Sequence, residues 1–419
     1  MPRVQNAGIG SCLATAIGCL LMLWAAPASA KPRQSWTQVA RSQCFGREAQ
    51  RIDGCTALIE SRRASPKDIA GAYLNRGAAY LSRENVDLAI ADFSELIRRQ
   101  PSRAGAYTNR GEAYRRKGDT RRAIDDLNRA IELNRKDSFA WFDRGITHSD
   151  IGDPDRAIAD YNQAIRLKSR DPWYYNNRGN SWSDKNDLDR AMSDYNEALR
   201  LDPKFALAYF NRGTAYSNQG DKDRALADLN ISIRLDPKYA AAYGNRARLF
   251  RDRGDFDRAI ADLDQSLRLD PNGYRDAYAR GNLLFDRHDY ARALADYDQA
   301  IRARPDHADA LNTRCLTKAV LGRPQEGLAD CEASLKLKPN DAYTLDSRGL
   351  CYLKLGELDM AIEDFTAALK VNPKLANALY GRGLAKRKKG DDSGADHDLA
   401  AAKAVYAGIA EEFHHYGIE

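Results

Sequence analysis

Small and bulky apolar positions return along this chain every 34 residues. Starting at Gly77, steps of 34 land on Gly111, Gly145, Gly179, Gly213, Ala247, Gly281, Cys315, Gly349 and Gly383 without one insertion. Twelve residues after each of these anchors stands a second small residue, alanine from Ala89 to Ala395 apart from Gly327. Sixteen after it comes a bulky apolar side chain, as in Phe93, Tyr161, Tyr195, Tyr297 and Phe365. Proline stands twenty-four after the anchor in seven units, from Pro101 through Pro203 to Pro373. Gly118, Gly152, Gly220, Gly254, Gly322, Gly356 and Gly390 separate two helical patterns within a unit. The pattern therefore predicts two antiparallel helices per period, packed closely where small residue meets small residue. One such pair cannot bury its own apolar face, so successive pairs must stack.

The order aromatic, Gly, Tyr, Ala, aromatic, Pro over 34 residues resembles the tetratricopeptide repeat. The resemblance implies an all-α fold, an α-solenoid wound as a right-handed superhelix of ten helix-turn-helix repeats over residues 70–409. Residues 31–69, with Trp36, Cys44 and the run from Cys55 to Ile59, are expected to form an N-terminal cap, a degenerate half-repeat. Residues 410–419 are expected to be a polar C-terminal tail facing water, with Glu411, Glu412, His414 and His415.

Two columns carry charge in every unit. The residue before each anchor is arginine, from Arg76 to Arg382, where the tetratricopeptide pattern usually has an apolar residue. The residue fifteen after it is aspartate, from Asp92 to Asp398. A free arginine stripe would suit phosphates. Equal numbers of opposite charge beside buried positions instead predict a ladder of Arg–Asp pairs, and no nucleic-acid partner.

On a helix turning about 100° per residue, positions six, three and two before the anchor and one, four and five after it point away from the buried face. In the resembled family these line the concave groove. There, repeats three to five bring together Phe139, Phe142, Trp173, Leu207 and Phe210. Beside them runs a polar column of Asn75, Asn109, Asp143, Asn177, Asn211 and Asn245, joined by Asn176 and Asn180. It resembles the asparagine ladder with which O-linked N-acetylglucosamine transferases hold an extended peptide. An amide suits that task because it both donates to and accepts from a peptide backbone. The expected partner is a protein or peptide held in that groove. The alternative is a structural subunit of cell-envelope or exopolysaccharide-export machinery acting through convex or end surfaces.

Residues 1–30 differ from the rest. Arg3, an apolar run from about Ile9 to Ala26 and the small residues Ala28-Ser29-Ala30 predict a cleaved signal peptide, with an uncleaved anchor as the alternative. The expected location is across the inner membrane, in a periplasm, with no membrane insertion once the signal is removed. Five of seven cysteines follow the signal, and an oxidising compartment would allow Cys44 to pair with Cys55, and Cys315 with Cys331 or Cys351.

Composition adds limits. The length of 419 residues alone suggests two or three domains, a count the period overrules. Hydrophobic residues at 43% and charged residues at 30% suit an ordered chain and exclude a multi-span membrane protein. A net charge of +6 is too mild to imply a polyanion partner. The six histidines show no metal-ligand spacing with cysteine or carboxylate, and no nucleophile motif or phosphate-binding loop is present. The expectation is a protein that is not an enzyme, with no cofactor and no metal; oligomeric state has no signature in the sequence.

Overall fold

The computed structural model describes residues 36–46 and 50–418, so the signal expected at 1–30 lies outside the described residues. The chain is all α and falls into two compact units. In the first, ending at Leu133, a cap of two helices (Trp36–Cys44 and Arg51–Glu60) precedes repeat one (Pro66–Ser82 with Val86–Arg99) and repeat two (Ala104–Arg116 with Thr120–Leu133). The cap is thus a helix pair, where the sequence suggested a half-repeat. The second unit holds repeats three (Ser138–Asp150 with Pro154–Leu167) to ten (Ala376–Lys388 with Asp392–Val405) and a last helix, Ile409–His415. Within each unit every first helix packs on its own second helix, which packs on the next first helix. Both units are therefore α-solenoid segments.

Local chemistry sets the breaks. The residue seven after the anchor is left-handed throughout: the seven turn glycines have φ between 74° and 85°. In the other three repeats Glu84, Asn186 and His288 hold that place and take the conformation without being glycine. Next comes an aspartate whose side chain accepts from the backbone N–H three residues on, as in Asp153, Asp187, Asp221, Asp255 and Asp289. The anchor glycine has a different reason. A Cβ at Gly179 would lie 2.7 Å from the buried Tyr195 ring, and one at Gly77 2.6 Å from Phe93. Where Ala247 fills the anchor place, the residue opposite is the smaller Leu263.

The arginine and aspartate columns pair in all ten repeats. Each guanidinium donates through Nε and Nη2 to both oxygens of its own repeat's aspartate, at 2.5–2.9 Å. Nη1 adds a bond the spacing did not suggest. It donates to a side chain on the preceding second helix: from Arg76 to Thr56, Arg110 to Ser94, Arg178 to Asn162, Arg212 to Asn196, Arg280 to Asp264 and Arg382 to Thr366. Aromatic rings flank the cation, Arg76 lying 5.8 Å from both Tyr73 and Tyr80. An arginine thus stands in an apolar column because all its faces are used.

The C-terminal end differs from expectation. Residues 410–418 do not present a polar tail to water: Ile409, Phe413, Tyr416 and Ile418 are 0%, 1%, 4% and 8% exposed. The Phe413 ring centre lies 4.7 Å from that of Tyr380, and Tyr416 lies 6.3 Å from Phe285. The reason is spacing. Apolar residues at i, i+4, i+7 and i+9 gather on one side of a short helix and its extension, and that side covers the first helices of repeats seven and ten.

Two disulfides lie far apart in the sequence. Cys44–Cys55 joins the cap helices and Cys315–Cys331 joins the helices of repeat eight. Cys351 is a buried thiol with Sγ 3.6 Å from that of Cys315, and burial pushes it up to about 12.

Candidate functional site: the open face of the first helices

The face of each first helix turned away from its second helix carries the candidate residues, and the two units hold separate parts of it. In the first unit, Asn75 Nδ2 donates to the Cys44 carbonyl at 3.3 Å, and Asn109 Nδ2 donates to the Gly105 carbonyl at 2.7 Å. Both amides are engaged within their own unit.

In the second unit the column six before the anchor is the exposed one. Phe139 is 54% exposed, Trp173 50% and Tyr343, in repeat nine, 59%. Lys168 Nζ sits 5.1 Å above the Phe139 ring, and Trp173 leans on Phe205 at 4.6 Å between centres. The column three before the anchor lies deeper, at the seam between neighbouring first helices. Phe142 packs 4.7 Å from Tyr174 and 5.7 Å from Tyr161, and Phe210 packs 4.8 Å from Tyr239. Leu207 is part-buried against Ala198, Leu199, Phe205 and Ala208.

The asparagine ladder is mostly spent internally. Asn176 is fully buried and accepts from Asn211 Nδ2 at 2.9 Å, so it is no groove residue. Asn177 donates to the Trp173 carbonyl at 2.9 Å, and Asn245 to Thr214 Oγ1 at 3.2 Å. Asn180 accepts the hydroxyl of the buried Tyr195 at 2.9 Å, just as Asn282 does for Tyr297. Asp143 is half-buried. The face thus offers exposed aromatic rings more than free amides.

A cavity of about 620 Å³ opens between the first helices of repeats six and seven, lined by Phe210, Gly244, Asn245, Arg248, Tyr274, Arg275 and Asp276 among others. Gly244 lets Asp276 lie close on its wall: a Cβ there would lie 2.7 Å from Asp276 Oδ2. Asp276 accepts from Ser266 Oγ at 2.5 Å, and burial raises its carboxyl above the usual range. Sequence reasoning missed this feature. The available signal was Asp276 itself, in a column where Ala242 and Ala310 hold the neighbouring places. Among the described residues no group of three His, Cys, Asp or Glu could hold a metal ion. His148 is buried with Nε2 3.7 Å from Asp160, and desolvation lowers its pKa. No helix of the described residues is long and apolar enough to cross a membrane.

Tetratricopeptide repeat models match residues 70–103, 104–137, 210–274, 278–342 and 347–375, and a TPR repeat model matches 149–182 and 183–220. No curated protein matches the chain significantly. Among solved structures, the human IFIT1 dimer with m7Gppp-AAAA is similar at 16% identity over 77% of this chain and 78% of that one, with a TM-score of 0.51. A tetratricopeptide repeat protein from Parabacteroides merdae is 19% identical over 59% of this chain and 98% of its own, with a TM-score of 0.48. Pseudomonas aeruginosa pilF is 20% identical over 48% and 92%, with a TM-score of 0.44. At such identities the likeness is one of fold.

Proposed function

Because the chain belongs to the tetratricopeptide repeat family, whose members are generally non-enzymatic scaffolds that bind protein or peptide partners, we propose that it holds an extended partner segment on the open face of repeats three to six. The observation that carries this reading is the pair of half-exposed rings, Phe139 and Trp173, at the same place in neighbouring repeats. Exposed aromatic side chains in register are what an apolar partner residue is anchored by. The cavity beside Phe210 and Asn245 supplies a recess for a further side chain.

Peptides selected against the intact chain from a random display library test the reading. Phe139→Ala with Trp173→Ala is expected to leave helical content and thermal transition nearly unchanged while weakening the selected peptides by about 2 kcal/mol or more. Phe142 and Phe210 are unsuitable for this test because they pack the seam. Peptides that bind the double variant as tightly as the parent would place the binding surface elsewhere.

We place the protein in an oxidising compartment, reached through the signal expected at 1–30. The disulfides Cys44–Cys55 and Cys315–Cys331 support that location. Protein recovered from such a compartment and unfolded without reductant should expose one thiol per chain beyond residue 30, Cys351. Five reactive thiols would contradict it.

A further inference from the structure

The open face of repeats seven to ten is already occupied by the chain's own last residues. Ile409, Phe413, Tyr416 and Ile418 belong to one apolar cluster with Leu350, Leu353 and Leu379, and Phe285 and Tyr380 pack against it. The contacts fall on first-helix columns turned away from the second helices: Phe285 four after its anchor, Tyr380 three before, and Asn377, which donates to Glu412 at 3.3 Å, six before. The segment therefore sits as a ligand would, in a place the repeats alone leave open.

Its fit is good in shape and poor in charge. Glu412 also accepts the Tyr416 hydroxyl, but it lines one recess with a carboxyl of repeat seven, Asp286, and acts electrostatically on a second of repeat nine, Asp346. Burial raises the carboxyl of Asp286 above its usual range, with Glu412 adding to the effect. Burial pushes that of Asp346 up to about 8, again with Glu412 adding to it. Glu412 thus adds a third acidic group beside Asp286 and Asp346, with His288, stacked on His415 at 4.0 Å between ring centres, on the same recess, and a cation in the place of Glu412 would relieve the carboxyls. Apolar area holds the segment down while its one inward charge has the wrong sign.

We propose that this face is a second binding surface, separate from repeats three to six, that takes an amphipathic helical segment of a partner carrying a basic residue where the C-terminal segment carries Glu412, and that the C-terminal segment is its displaceable placeholder. The partner is defined by that chemistry: apolar residues spaced i, i+4, i+7 and i+9, with lysine or arginine at i+3. Direct capture then exchanges one helix for another on the same contacts, and the buried carboxyls gain a counter-ion.

Two measurements on the intact chain decide this. Labelled peptides with the sequence of residues 406–418, either native or carrying Glu412→Lys, are titrated against it. The Lys peptide is expected to bind at least tenfold more tightly than the native one, and at saturation the amides of residues 411–416 in the chain should lose their hydrogen-exchange protection. Equal affinities, no binding by the Lys peptide, or a tail that stays protected at saturation would each overturn the proposal. In the chain itself, Glu412→Gln keeps an acceptor for Tyr416 and Asn377 and removes the charge, so protection of the same amides should rise severalfold. Unchanged or lower protection overturns the charge argument, and concentration-dependent dimers of that variant would assign the face to a second copy instead. Phe139→Ala with Trp173→Ala should leave the Lys peptide's affinity unaltered, which separates this surface from the first.

Discussion

Replacing Arg178 with leucine is expected to destabilise repeat four by about 3 kcal/mol, because it strands a buried carboxylate. Arg178 donates to both oxygens of Asp194 at 2.8 and 2.7 Å and to Asn162 Oδ1 at 2.6 Å, and Asp194 is only 5% exposed. The hydrogen bond to Asp194 is the main influence raising the guanidinium's pKa against the cost of burial, so the cation is held by the pair. Leucine offers the carboxylate nothing. Adding Asp194→Leu should return most of the loss, leaving about 1 kcal/mol, since two apolar side chains of similar size can replace a buried pair nearly neutrally. Because a long array need not unfold in one step, amide exchange within repeat four is the proper readout. A double variant as unstable as the single one would show that packing, not stranded charge, sets the cost.

The second large effect is expected at Asp346 and appears only with pH. A carboxyl ordinarily titrates near 4, and burial holds this one at about 8. A pKa raised in the folded state means that the neutral acid is the form the fold accepts. The group's contribution is complete below about pH 4, falls as pH rises, and is lost once pH has passed through about 8. Asp346→Asn keeps the shape without the charge, so it should change little at pH 4 and stabilise the second unit by about 2 kcal/mol at pH 9. The figure is kept below the full linkage value because the side chain is not wholly cut off from water. Unfolding midpoints of parent and variant that run parallel from pH 4 to pH 9 would refute the assignment.

What the sequence discloses here depends on how near the partners lie. The helix pairs are legible because anchor, turn and second small residue fall within a dozen positions of one another and recur. That the arginine and aspartate columns pair is legible because both recur in every repeat, but whether the partner lies in the same or a neighbouring repeat is fixed only by the packing of the helix pair. The asparagines are less so. Asn176 and Asn177 are adjacent on one helix, yet one is buried against Asn211 and the other bonds its own backbone, a difference fixed by the neighbouring helix. The C-terminal segment is least legible. Phe413 meets Tyr380 nearby in the chain, but Tyr416 meets Phe285, more than a hundred residues earlier, and no repeated column announces that contact. Glu411, Glu412, His414 and His415 suggest water, while the four apolar residues between and beside them decide the outcome through burial worth about 1.5–3 kcal/mol for each large side chain.

The third bond that arginines of this column make through Nη1 has a direction. Its acceptor on the preceding second helix always lies upstream in the chain, as Asn162 does for Arg178 and Asn196 for Arg212. The aspartate that completes the fork lies downstream. During synthesis, then, a new first helix emerges to find one partner already in place and waits only for the segment that follows. Assembly from the amino end proceeds like a zip whose next tooth is cut to the last one closed, whereas assembly from the carboxyl end leaves each guanidinium one acceptor short until the neighbour arrives.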